Sequence, residues 1–162
     1  MSKSSGDREQ GRSTNVDPFA VFQPRRGRRV AIGLAVAVVS VFTFVAVFIA
    51  PSRINDYQIS DRLLIASIGW ILALLFWRYA SIKATPSREG LVVRNLFVTT
   101  TLTWPQIVAM QYGDGAPWPT LELNDTETIA VMAIQRSDGR RSIEEARRLN
   151  TLIKGLGEAV ET

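Results

Sequence analysis

The sequence predicts a membrane α-helical hairpin followed by an α+β domain, mainly antiparallel β, capped by one C-terminal helix. Three observations predict it. Two uncharged apolar runs lie in the first half of the chain. About six short β-rich segments then follow in roughly 55 residues, joined by connections too short for crossover helices. One amphipathic stripe at helical spacing closes the chain.

Residues 1–29 read as a disordered basic cytoplasmic tail. They are rich in Ser, Gly, Arg, Asp and Gln, with too little apolar surface to fold. Pro18 to Phe22 is a small apolar patch, expected at the membrane surface. The segment holds seven basic and three acidic side chains and ends in Arg25-Arg26-Gly27-Arg28-Arg29. Arg25, Arg26, Arg28 and Arg29 are read as a topology signal and an anionic-lipid contact.

Residues 30–50 form the first expected transmembrane helix, an uncharged run from Val30 to Ala50. At about 1.5 Å per residue it covers roughly 30 Å, the thickness of a hydrocarbon core. Pro51 stops it. A cleaved signal peptide fits less well, because the run exceeds a typical h-region and Phe48-Ile49-Ala50 is no A-x-A site. Residues 51–62 form a short external loop. Residues 63–79 form the second helix, whose uncharged run from Leu63 to Trp77 is flanked by Arg62 and Arg78, with Trp77 and Tyr79 suited to an aromatic belt. The arginine asymmetry places both termini in the cytoplasm, in a multi-pass protein of the cell membrane. Neither run has an ionisable residue in its middle, which disfavours a transporter, proton relay or voltage sensor. Gly33-x-x-x-Ala37 and Gly69-x-x-x-Ala73 are small-residue pairs that permit close helix approach, though such spacing also arises by chance.

Residues 80–162 are the cytoplasmic domain. A strand is expected over Tyr79 to Thr85. Pro86 to Gly90 turns into a strand over Leu91 to Val98, and Thr99 to Trp104 continues to Pro105. Ile107 to Tyr112 is the next strand, followed by the turn Gly113 to Pro117. Trp118 to Leu123 and Glu127 to Ile134 complete the set. Ser142-Ile143-Glu144-Glu145 reads as a capping box, with Ser142 at the N-cap. Leu149, Leu152, Ile153, Leu156 and Val160 form the apolar stripe, and Gly155 and Gly157 weaken its last turn. Short antiparallel strands closed by one helix are the plan of a pleckstrin-homology-like (PH-like) barrel, incompletely closed and with an open edge.

Three stretches carry a resemblance: Thr85-Pro86-Ser87-Arg88-Glu89-Gly90-Leu91-Val92-Val93-Arg94-Asn95, then Trp104-Pro105-Gln106-Ile107, then Met132-Ala133-Ile134-Gln135. In order and spacing they resemble the bacterial PH-domain family of the actinobacterial low-molecular-weight protein antigen 6 type. The resemblance covers roughly residues 30–160. It implies two membrane spans, then a PH-like module of undefined ligand with no catalytic residues to carry over.

The 162-residue chain has no cysteine and no histidine, which removes disulfides, Cys/His metal sites and every imidazole-based triad. No nucleophile and base cluster, so no enzyme and no cofactor is expected. Asp114, Asp125 and Asp138 are turn residues rather than metal ligands. Residues 85–162 hold eight basic and ten acidic side chains, so the domain lacks a nucleic-acid footprint. Trp104 is expected in the core, and Arg140, Arg141, Arg147 and Arg148 on a solvated face offset by Glu144 and Glu145. The loop near Arg88 and Arg94 is too poor in cations for a phosphoinositide pocket. The expected function is therefore a membrane-held module that recruits or organises a membrane-associated protein partner, or a second copy of itself. The contact is centred on Gly113, Asp114 and Trp118. The alternative is an anionic-lipid surface sensor using the basic tail and the domain edge.

Overall fold

The computed structural model describes residues 17–49 and 58–157. Helix α1 spans Arg25–Phe44 and runs into a π-helical turn, Val45–Ile49. Helix α2 spans Ile59–Ala80 and packs along α1. Valine-rich α1 is a poor helix in water. In lipid the helix is the only open-chain way to satisfy its own backbone. Their exposure separates this pair from buried core helices. Both are long and apolar enough to cross a membrane, and only 17% and 11% of their most apolar stretches are buried within the chain.

The hairpin closes on small residues. Gly69 and Ala73 of α2 are buried, and a Cβ at Gly69 would stand 2.6 Å from the Phe42 Cβ. Gly33 has nothing within 4 Å of such a Cβ and faces outward, so only the second small-residue pair does packing work. Helix α2 is longer than its uncharged run at both ends. At its start the Gln58 amide donates to the Asp61 carboxylate at 2.9 Å.

The domain follows after two residues, Ser81 and Ile82. Strand β1 is Lys83–Pro86, β2 Gly90–Arg94 and β3 Thr99–Thr103, antiparallel in that order. A 3-10 turn, Trp104–Gln106, leads to β4 Ile107–Gln111, β5 Thr120–Leu123 and β6 Thr128–Ala130, a second antiparallel sheet. A second 3-10 turn, Arg136–Asp138, precedes α3, Arg140–Gly157. The two sheets do not pair through β3 and β4, so the barrel is not closed. The Asn95 side chain links them instead: its amide donates to the Ala130 carbonyl at 2.7 Å, and its oxygen accepts from the Met132 amide at 3.2 Å.

Alternation with period two decides what is buried: Ala84 on β1, Leu91 and Val93 on β2, Leu102 on β3, Leu121 and Leu123 on β5. Ala146, Leu149, Leu152 and Ile153 of α3 join them in one core. Trp104 is in that core as expected, and its indole N–H donates to the Ser87 carbonyl at 3.0 Å. Gly90 is required where β2 meets β3, since a Cβ there would lie 2.0 Å from the Leu102 carbonyl oxygen.

Four expectations change. Residues from Asp17 onward are not a free tail. Phe22 is 0% exposed, pairs with Ala84 in an isolated antiparallel bridge, and belongs to the domain core. Burying its ring in a small core offsets the cost of ordering a polar segment. Tyr79 and Ala80 are the end of α2 rather than a strand, because the helix continues beyond its apolar run to Ala80 before the chain turns at Ser81. Residues 95–98 and 131–134 are turns rather than strand ends. Ser142 is not an N-cap: α3 starts at Arg140, after Gly139 at φ 67°. The Ser142 hydroxyl donates to the Gly139 carbonyl at 2.7 Å and accepts from the Tyr112 hydroxyl. Residues 1–16, 50–57 and 158–162 lie outside the described part, and with them most of the expected tail, most of the loop and Val160.

Candidate functional site at the junction of hairpin and domain

Helix α1 begins after Pro24, which supplies no side-chain cap. The first amides of the helix are capped from across the molecule. Asp138 accepts from the Arg25 amide at 3.0 Å and the Arg26 amide at 3.1 Å, one carboxylate oxygen each. A carboxylate at a helix N-terminus is favoured by both the unpaired amides and the helix dipole. The domain thus holds the start of α1 through a side chain from the turn just before α3.

In the same first turn, α1 crosses the domain at Gly27. A Cβ there would stand 2.9 Å from the Gln135 side-chain oxygen and 3.2 Å from the Tyr79 hydroxyl. The glycine inside the arginine cluster is therefore the point of closest approach. Beneath it Gln135, itself buried, donates to the Tyr79 hydroxyl at 2.9 Å, tying the end of α2 to the chain before α3. In the segment before α1, Arg148 of α3 stacks over the Phe22 ring at 4.0 Å, and its guanidinium donates to the Asp17 carbonyl at 3.1 Å.

These contacts leave a groove of about 600 Å³ between α1, α2 and the β2–β3 turn. Its outer wall is Phe97, 75% exposed, on a turn that overhangs the end of α2. Arg78 donates to the Phe97 carbonyl at 3.5 Å.

The arginine cluster divides. Arg26 lines the groove. Arg25, Arg28 and Arg29 line a separate cleft with Gln23, and Arg28 donates to Gln23 at 2.9 Å. The expected partner residues lie away from the junction, in the β4–β5 loop. Gly113 and Asp114 are exposed and Trp118 is half-buried. Arg136 clamps this loop: its guanidinium donates to the Gly113 carbonyl at 2.5 Å and the Ala116 carbonyl at 2.9 Å, stacks on Tyr112 at 5.3 Å, and reaches Asp114 at 3.9 Å. Asp125 accepts from the Glu127 amide at 3.1 Å, a turn contact. Among the described residues no His, Cys, Asp or Glu cluster is arranged to hold a metal. On α3, Arg141 and Glu145 pair at 2.6 Å, and burial raises the Glu145 carboxyl above its ordinary value against the pull of Arg141.

Sequence reading missed Phe22, Gly27, Phe97, Gln135 and the capping role of Asp138. Two signals were there to read. Phe19 and Phe22 interrupt an otherwise polar tail, and one glycine interrupts four arginines.

Residues 83–151 match the family of bacterial PH domains. Uncharacterized proteins of Mycobacterium tuberculosis and Mycobacterium bovis are each 30% identical over 87 residues, 54% of this chain and 56% of theirs. The match therefore spans about half the length of those relatives. No solved structure matches the chain. Six short antiparallel strands and a closing helix are consistent with the architecture of that family, and two apolar helices precede the matched residues.

Proposed function

We propose that the chain is a non-catalytic, membrane-anchored PH-like module that recruits or organises a protein partner, or another copy of itself, at the cytoplasmic face of the cell membrane. In this reading residues 30–50 and 63–79 cross the bilayer and both termini are cytoplasmic. One observation carries the recruiting role. Strand β4 is the outer strand of its sheet, Val108 on it is 65% exposed, and the strand runs into the Gly113-Asp114 turn. An unpaired edge is a template for an added strand. Docking of the domain on the hairpin through Asp138, Gln135 and Phe22 supports a fixed platform rather than a swinging tether. A fixed platform raises the effective concentration of a weak edge for neighbours in the same bilayer.

A photoreactive residue at Val108 or Trp118, in intact membranes, should give discrete protein adducts. Val108→Lys should reduce those formed from Trp118. Lipid adducts alone, with productive probes at Arg28 or Arg29, would favour the lipid-sensor reading instead.

A further inference from the structure

We propose that the groove between α1, α2 and the β2–β3 turn binds one anionic phospholipid of the leaflet next to the domain. The acyl chain lies against Val30, Leu34, Leu75 and Phe97, and the phosphate lies at Arg26, beside Gln135. The proposal rests on the reading that the hairpin crosses the membrane, and not on protein recruitment.

The groove is graded along its axis. From Arg26 to Leu34 it follows α1 for about 12 Å, at 1.5 Å per residue. Its domain end carries Arg26, Gln135 and Ser137, and its far end is apolar throughout. Val30, Leu34 and Leu75 are themselves exposed on the outer surface of the hairpin, so the groove opens onto the face that lipid tails would cover. A cavity of about 600 Å³ is within the usual range of roughly 300–1,000 Å³ for small-ligand sites, which are likewise mostly apolar with a few polar groups at one end.

The overhanging turn points the same way. Phe97 and Val98 are 75% and 62% exposed, and Phe97 is the most exposed large apolar side chain among the described residues of the domain. The turn is fixed, with the Asn95 amide bonded to the Val98 carbonyl at 2.9 Å. A rigid apolar tip beside the ends of two apolar helices sits at the depth where interfacial groups enter a bilayer, about 5–10 Å.

The charge selects the headgroup. Arg26 is the charged side chain in the lining. The nearby acid, Asp138, has both carboxylate oxygens engaged by the Arg25 and Arg26 amides. Arg25, Arg28 and Arg29 on the same turns add to the positive field.

The test uses the full chain in phosphatidylcholine bilayers that contain photoactivatable phosphatidylglycerol or, in a parallel set, photoactivatable phosphatidylcholine. Labelled residues are mapped by peptide mass spectrometry. Labelling at Leu34, Phe97 and Gln135 should exceed that at Val41 and Leu64, which are exposed elsewhere on the hairpin. The phosphatidylglycerol preference should be about fivefold, the effect of one arginine at an anionic surface, and should vanish in Arg26→Gln. Leu34→Trp, which fills the groove, should suppress labelling at Phe97 and Gln135 and spare Val41. Equal labelling of groove and outer face, or no response to Leu34→Trp, overturns the proposal. The ratio in the unsubstituted chain decides even where Leu34→Trp disturbs folding. No label at Val41 either would sink the membrane reading itself.

Discussion

The hairpin and the domain bury opposite kinds of residue. In the hairpin the buried positions are Ala31, Ala46, Gly69 and Ala73, while Phe44, Trp70 and Trp77 lie exposed. In the domain the fully buried side chains include Trp104, Phe22, Leu91, Leu121 and Leu149. The same rule, that surfaces seek the solvent they match, gives both results. In water, removing large apolar groups from solvent drives folding. Against lipid tails that gain disappears, and close backbone approach through small residues holds helices together. The inversion is the reason the two units are distinguishable within one chain, and Phe97 stands out because it obeys the hairpin's rule while sitting on the domain.

The largest expected effect tests where the domain's core ends. Phe22→Ala should cost about 3–5 kcal/mol of domain stability, the usual range for a buried aromatic. Near-UV circular dichroism of the full chain in detergent measures it. A loss within error would return residues 17–24 to the tail.

Next comes the hairpin's own rule. Gly69→Val drives a side chain into Phe42 and should cost about 1–3 kcal/mol. Gly33→Val meets nothing within 4 Å and should leave stability unchanged. Unfolding of both variants in mixed micelles gives the contrast, and equal effects would refute small-residue packing as the basis of the hairpin.

The joint between the units should be worth less. Asp138→Ala removes the cap on α1, and cap losses run at about 0.5–2 kcal/mol. Hydrogen exchange at the Arg25 and Arg26 amides should accelerate while α3 stays protected. Loss of protection in α3 instead would show Asp138 acting within the domain alone.

The smallest effect concerns Glu145. Its carboxyl is raised above the usual 4.5 by burial, so the folded state holds its proton to higher pH than the unfolded chain does. That contribution is greatest at acid pH and is lost as pH rises from about 4.5 through the folded value. Glu145→Gln stays neutral, so its stability relative to the parent should grow over that interval in chemical denaturation. A constant difference across pH would show that the carboxyl is not destabilised by burial.

The sequence by itself determined the features that repeat locally. Two uncharged runs announced two apolar helices, alternating β-branched segments announced short antiparallel strands, and Leu149, Leu152 and Ile153 announced the closing helix. Trp104 between a strand and Pro105 was legible as core for the same reason. Tertiary structure alone decided how these parts meet. Asp138 reaches the Arg25 amide across 113 residues, and nothing local to either residue encodes that bond. Gly139, at φ 67°, turns the chain so that α3 starts at Arg140, and the capping box at Ser142 is not used. Phe22 was hidden because its neighbours are polar. A single buried ring in an irregular segment has no period to detect, and only the bridge to Ala84 reveals it. Periodicity reports the solvent on each face of an element. Contacts between elements are set by shape and by pairing of polar groups, and these exist only once the chain has folded.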